Sequence, residues 1–111
     1  MFGQPRVPSI DVASLTDDVF LLDVREADEW MAGRAAHAVH LPMSSLPQNL
    51  AAIPTDRQVV VVCRVGGRSE QVTAWLVSQD YDAVNLDGGM MAWAAVGRAI
   101  VNEAGTDGFI V

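Results

Sequence analysis

Lysine is missing from this chain altogether, cysteine occurs once and histidine twice. Without lysine there is no Schiff-base chemistry. A lone cysteine excludes an internal disulfide framework and leaves a free thiol suited to a reducing compartment. His37 and His40, even taken with Cys63, lack the repeated close spacing of Cys/His zinc motifs, so neither a metal nor any other cofactor is expected. Basic charge is also scarce. Seven arginines face fourteen carboxylates, for a formal net charge of −7, which argues against nucleic acid or an anionic membrane as partner. Long apolar runs are absent as well: "VVVVC" and "MMAWAAV" fall far short of the ~20 residues that span a bilayer. The opening "MFGQPRVPS" lacks the apolar stretch of a signal peptide. A soluble, cytoplasmic protein is the expectation.

What is present is a core. Half of the 111 residues are apolar, enough for one compact domain without disulfide or metal support. Strand-length apolar runs at 19–24 ("VFLLDV"), 39–41 ("VHL"), 58–63 ("QVVVVC") and 83–86 ("AVNL") alternate with helix-like segments. That alternation predicts an α/β fold with a mostly parallel sheet. The four valines of 59–62 show no polar alternation, so they suit a central strand covered on both faces.

Among the helices, 69–79 places Val72, Trp75, Leu76 and Gln79 at helical spacing, with Ser69 as its expected cap. Leu46, Leu50 and Ile53 share a face over 45–53, and 26–33 reads as a short helix stopped by Gly33. Another helix is expected over 89–96 after a turn at Gly88 and Gly89. Residues 10–15 read as a short strand leading into a helix, with Asp11 a candidate cap. The tail 101–111 falls outside the alternation and is expected to fray, docking on the core or on a second subunit being the alternative.

Cys63 admits two readings. Free cysteine is among the most buried residue types, and one ending a valine strand can be a plain core residue. The following Arg64, Val65, Gly66, Gly67, Arg68 and Ser69 point elsewhere. Such a loop, entering a helix, can wrap backbone N–H groups around the sulfur, because glycine turns the chain without steric cost. Those amides, the helix terminus and Arg68 would favour the thiolate. Cys63 would also lie at the carboxyl edge of the sheet, where open α/β folds bind ligands. The spacing is Cys-x4-Arg, one residue shorter than the Cys-x5-Arg loop with which cysteine phosphatases surround phosphate. A smaller cradle fits a single sulfur atom better than a tetrahedral oxyanion.

Four segments together resemble the single-domain rhodaneses, the thiosulfate sulfurtransferase family: "LLDVREADEW" (21–30), "AGRAAHAVHLP" (32–42), "VVVVCRVGGRS" (59–69) and "NLDGGMMAW" (85–93). The resemblance implies a three-layer α/β/α rhodanese-like fold with a mostly parallel five-stranded sheet over residues 1–100, and a tail of uncertain order over 101–111. It implies that Cys63 carries sulfane sulfur as a persulfide, in a loop of residues 64–69. Arg64 and Arg68 would attract a dianionic donor. Asp23 and Arg25 match an Asp-x-Arg motif, read here as a brace between neighbouring loops, and Gly88 and Gly89 match a turn beside the cysteine. Three positions depart from the family pattern. Arg34-Ala35 stands where Gly33 is commonly followed by His-Ile, His37 stands where a glycine-dependent turn is usual, and Val65 stands where Ser or Thr is frequent.

The implied activity is transfer of sulfane sulfur from thiosulfate or a related donor to a small thiol, a thioredoxin-like dithiol or a sulfur-carrier protein. A catalytically weak rhodanese-like binding or regulatory module is the alternative, followed by a cysteine phosphatase or arsenate reductase using the same nucleophile.

Overall fold

The computed structural model describes residues 7–111, so the expectation for the first residues of the opening segment lies outside the described residues. Five strands form one sheet: β1 (Ser9–Ile10), β2 (Phe20–Asp23), β3 (Val39–His40), β4 (Val59–Val62) and β5 (Ala83–Leu86). Their order is β1-β5-β4-β2-β3, and every neighbouring pair is parallel. β4 therefore sits in the middle. All four of its valines are buried, as a strand covered on both faces requires.

Side chains alternate across a strand, and the two halves of β4 enter two different cores. Val60 and Val62 join Leu21, Val84, Leu86, Met90 and Trp93 on one face. Val59, Val61 and Cys63 join Leu22, Leu46, Val72 and Leu76 on the other. The first face is covered by α3 (Gly89–Ala95), the second by α2 (Gly67–Ser78) and a segment of 3₁₀ turns over Met43–Ala52. The result is a three-layer α/β/α sandwich, as the resemblance implies, with the Cys63 side chain on the α2 side.

Several boundaries differ from expectation for identifiable reasons. α2 begins at Gly67, two residues earlier than the sequence reading, because Gly66 at φ 120° turns the chain into the helix. Ser69 is consequently not a cap but a buried residue in the first turn of α2. Residues 43–52 form 3₁₀ turns kinked at Asn49 with Pro47 inside, although Leu46 and Ile53 are buried as the pattern implies. α1 (Ala27–Ala32) does end at Gly33, but at φ 177° the glycine is simply extended. Its small size is what matters: a Cβ there would lie 2.4 Å from the Phe109 oxygen. His37 needs no glycine-like backbone either, since Asp80 alone among the described non-glycine residues has positive φ. The turn at 35–38 closes instead through Ala38 N–H donating to the Ala35 carbonyl at 3.1 Å.

In the structure the tail packs against the domain. Val101 forms antiparallel bridges with Arg34 and Asp107, Phe109 N–H donates to the Ala32 carbonyl at 3.1 Å, and Ile110 packs on the core. Residues 101–111 thus run back across the end of α1 towards the cysteine loop.

Candidate active site

β4 delivers Cys63 to the carboxyl edge of the sheet, and the backbone then turns sharply at Gly66 so that α2 starts beside the sulfur. The Gly66 N–H donates to Cys63 Sγ at 3.1 Å, and the Ser69 hydroxyl lies 3.2 Å from the same atom. Burial pushes the thiol up; the Ser69 hydroxyl and the backbone N–H groups of Ser69, Gly66 and Val65 outweigh it, and the group ends below the ordinary thiol range. This is the physics of a helix terminus, whose unpaired N–H groups stabilise an adjacent anion. Cys63 itself is 1% exposed.

The loop's outward carbonyls are fixed from the opposite side. Met90 N–H donates to the Cys63 carbonyl at 2.8 Å and Met91 N–H to that of Arg64 at 3.0 Å. The first turn of α3 thereby finds partners for N–H groups that a helix start leaves unpaired. The approach is close enough to demand glycine: Gly89 sits at φ 59°, and a Cβ on it would lie 2.5 Å from the Cys63 oxygen. In the loop itself only Gly66 uses a left-handed backbone; Gly67 is an ordinary first helical residue with open space around it.

The two loop arginines are arranged differently from the sequence expectation. Arg68 does not reach for the sulfur. Its two terminal nitrogens donate to the two carboxylate oxygens of Glu29 at 2.7 and 2.8 Å. Hydrogen bonds from Arg68 hold the Glu29 carboxyl down at about 2, and Glu29 in turn raises the arginine. Arg64 is exposed and donates Nε–H to the Val111 oxygen at 2.9 Å, joining the loop to the tail. The lowering of Cys63 therefore comes from amides and a hydroxyl. Val65 is 56% exposed and contributes its backbone N–H, so the missing hydroxyl of its side chain leaves the sulfur's present partners intact.

Asp23 and Arg25 form a fully buried pair, with Arg25 Nη2 to Asp23 Oδ2 at 2.7 Å and Nε to Oδ1 at 3.0 Å. Arg25 also donates to the Gly33 carbonyl at 2.7 Å, tying the end of β2 to the end of α1. A neighbouring contact completes this corner: His40 Nε2 donates to the Arg25 carbonyl at 2.7 Å while its ring stacks on Trp30 at 4.6 Å.

Two participants escaped sequence reasoning. Glu29 looks like an ordinary exposed residue of a short amphipathic helix, and nothing local reveals a partner thirty-nine residues away. Asn85 lies inside β5, 2% exposed, with Oδ1 2.6 Å from the Ser69 hydroxyl. A polar residue in the middle of "AVNL" was the available signal, since a buried amide needs a partner. Among the described residues no group of three or more His, Cys, Asp or Glu side chains is placed to hold a metal ion, and no helix is long and apolar enough to cross a membrane.

The Rhodanese-like domain model matches residues 11–96. A sulfurtransferase of Allochromatium vinosum is 45% identical over 91 residues, covering 81% of this chain and 85% of that protein. The thiosulfate sulfurtransferase GlpE of Pseudomonas savastanoi pv. phaseolicola is 33% identical over 92 residues, covering 81% and 87% respectively. A crystal structure of a rhodanese-related protein from Thermoplasma volcanium superposes with a TM-score of 0.81 at 29% identity, over 86% of this chain and 99% of that one.

Proposed function

Because this chain belongs to the rhodanese-like domain family, and is a sulfurtransferase like its relatives, we propose that Cys63 is the sulfur carrier and that thiosulfate is a donor. The observation that carries this reading is the placement of Cys63 Sγ against the Gly66 N–H and the Ser69 hydroxyl at the start of α2. In the first half-reaction the Cys63 thiolate attacks the outer sulfur of thiosulfate. A new S–S bond forms on Sγ, the S–S bond of the donor breaks, and sulfite leaves with the bonding electron pair. The persulfide's charge sits on the outer sulfur, one bond beyond Sγ, where backbone N–H groups of the 64–69 loop would meet it in an arrangement of the oxyanion-hole kind.

In the second half-reaction a thiophile attacks the outer sulfur and Cys63 leaves as thiolate, which needs no separate base. The acceptor in the cell is a small thiol, a thioredoxin-like dithiol or a sulfur-carrier protein, and a free reduced thiol fits a cytoplasmic setting. Arg64 is the loop cation available to a dianionic donor, since Arg68 is neutralised by Glu29. That pairing also disfavours a phosphatase, which needs an arginine facing the phosphoryl oxygens.

The test is intact mass after incubation with thiosulfate. The wild-type chain should gain one sulfur, lose it on cyanide treatment, and gain nothing as Cys63→Ala. No gain from thiosulfate or any other sulfane donor would overturn the proposal, and Cys63-dependent hydrolysis of an aryl phosphate would replace it.

A further inference from the structure

The Ser69 hydroxyl has one proton and three acceptors within reach: Asn85 Oδ1 at 2.6 Å, Cys63 Sγ at 3.2 Å and the Gly66 carbonyl at 3.2 Å. The Gly66 carbonyl already accepts from Glu70 N–H at 2.9 Å, so the competition is between the amide oxygen and the sulfur. A hydroxyl donating to Asn85 at 2.6 Å has no proton left for a thiolate. The same hydroxyl still accepts hydrogen bonds on its oxygen. A half-turn of the Asn85 amide exchanges Oδ1 for Nδ2, and Nδ2 then donates to Ser69 Oγ and releases the hydroxyl proton to the sulfur. Ser69 is fully buried and Asn85 nearly so, so water does not offer an easy substitute for either partner.

We propose that Asn85 is a positioning residue for Cys63, its amide turning between two orientations that commit the Ser69 proton either to Asn85 or to the sulfur. With a neutral thiol the Ser69 hydroxyl donates to Asn85 Oδ1. With an anionic sulfur the run becomes Asn85 Nδ2–H to Ser69 Oγ, then Ser69 O–H to Sγ. Asn85 Nδ2 lies beside the turn at Gly66, where a Cβ would stand 3.9 Å from it, an ordinary contact distance. Asn85 thus acts on the sulfur only through Ser69, from a strand next to the one that carries the cysteine.

The inference rests on Cys63 as the reactive group, but its readout is ionisation and needs no sulfur donor. Persulfide formation can fail while the coupling stands, and the reverse. The thiolate's ultraviolet absorbance is followed against pH in the wild type, Ser69→Ala, Asn85→Ala and the double variant. Ser69→Ala should lower the thiolate fraction at a given pH by about tenfold, the size of one hydrogen bond to a charged group. Asn85→Ala, which removes the competing acceptor together with the supporting donor and leaves the Ser69 hydroxyl in place, should change it by less. The double variant should lower it no further than Ser69→Ala alone.

Asn85→Asp keeps the shape but, when ionised, can only accept, so it should depress the thiolate fraction more than Asn85→Ala. In the unaltered protein, the Asn85 side-chain amide resonances should move through a pH titration with the midpoint of Cys63, and stop doing so in Ser69→Ala. Amide resonances indifferent to Cys63 ionisation, or an Asn85 effect of equal size with and without Ser69, would overturn the proposal.

Discussion

Glu29 and Arg68 are joined by two parallel hydrogen bonds of 2.7 and 2.8 Å, so the arginine of the cysteine loop is held by a carboxylate from α1. The pair links the start of α2 to α1 and leaves the mouth of the loop with a neutralised cation. Glu29→Gln should therefore free the Arg68 guanidinium and lower the apparent KM for thiosulfate several-fold. Added salt should shrink the gain, because the attraction of a dianion is screened. Steady-state kinetics at two ionic strengths is the measurement.

The same pair sets an acid limit. Arg68 holds the Glu29 carboxyl at about 2, below its ordinary 4.5. A lowered carboxyl contributes stability that is complete above its unfolded value and disappears as pH falls through the folded one. Thermal unfolding of the wild type should lose this contribution between about 4.5 and about 2, and Glu29→Gln should show a shallower decline over that window.

Cys63 titrates with the same sign. Its folded value is lowered, so its contribution is present above the unfolded thiol value and lost as pH falls through the folded one. Alkylation by iodoacetamide should reach half its maximal rate below the ordinary thiol range, and Ser69→Ala should move the midpoint upward. The stability difference between wild type and Cys63→Ala should grow as pH rises through the same interval.

Arg25→Met should be among the most destabilising single changes. It leaves the buried Asp23 carboxylate without its partner, at a cost of about 3–5 kcal/mol, and takes a donor from the Gly33 carbonyl. Replacing Asp23 by Asn in the same molecule should restore part of the loss, as denaturant titration of both variants would reveal.

Gly33→Ala tests the tail. The new methyl would collide with the Phe109 backbone at 2.4 to 2.6 Å, and overpacking of this kind costs about 1–3 kcal/mol. Residues 101–111 should become sensitive to limited proteolysis while the family segment stays resistant.

Four of the five strands were legible because each lies in a short apolar run between turn residues, whereas β1 is the two-residue Ser9–Ile10 and carries no such run. The loop was legible because its glycines and arginines follow the one cysteine. The position of Ser69 was not, because a glycine at φ 120° starts α2 ahead of it, and propensity alone favours serine as the cap. The engagement of Arg68 was hidden for a different reason: its partner lies on another helix, and ion pairs leave no periodicity in a sequence. The docked tail depends on the bare backbones of Gly33 and Gly108, where a Cβ would lie within 2.8 Å of neighbouring atoms; steric room of that sort appears only once two segments have been brought together.

β4 has a parallel partner on each side and no free edge. In deuterium exchange its amides should therefore be replaced only when the whole domain opens, whereas those of residues 64 and 65 should be replaced through local fluctuation. The thiol stands on the boundary between these two clocks. A reagent that labels Cys63 consequently times the breathing of the loop, and its rate should stay constant when a core variant speeds global unfolding.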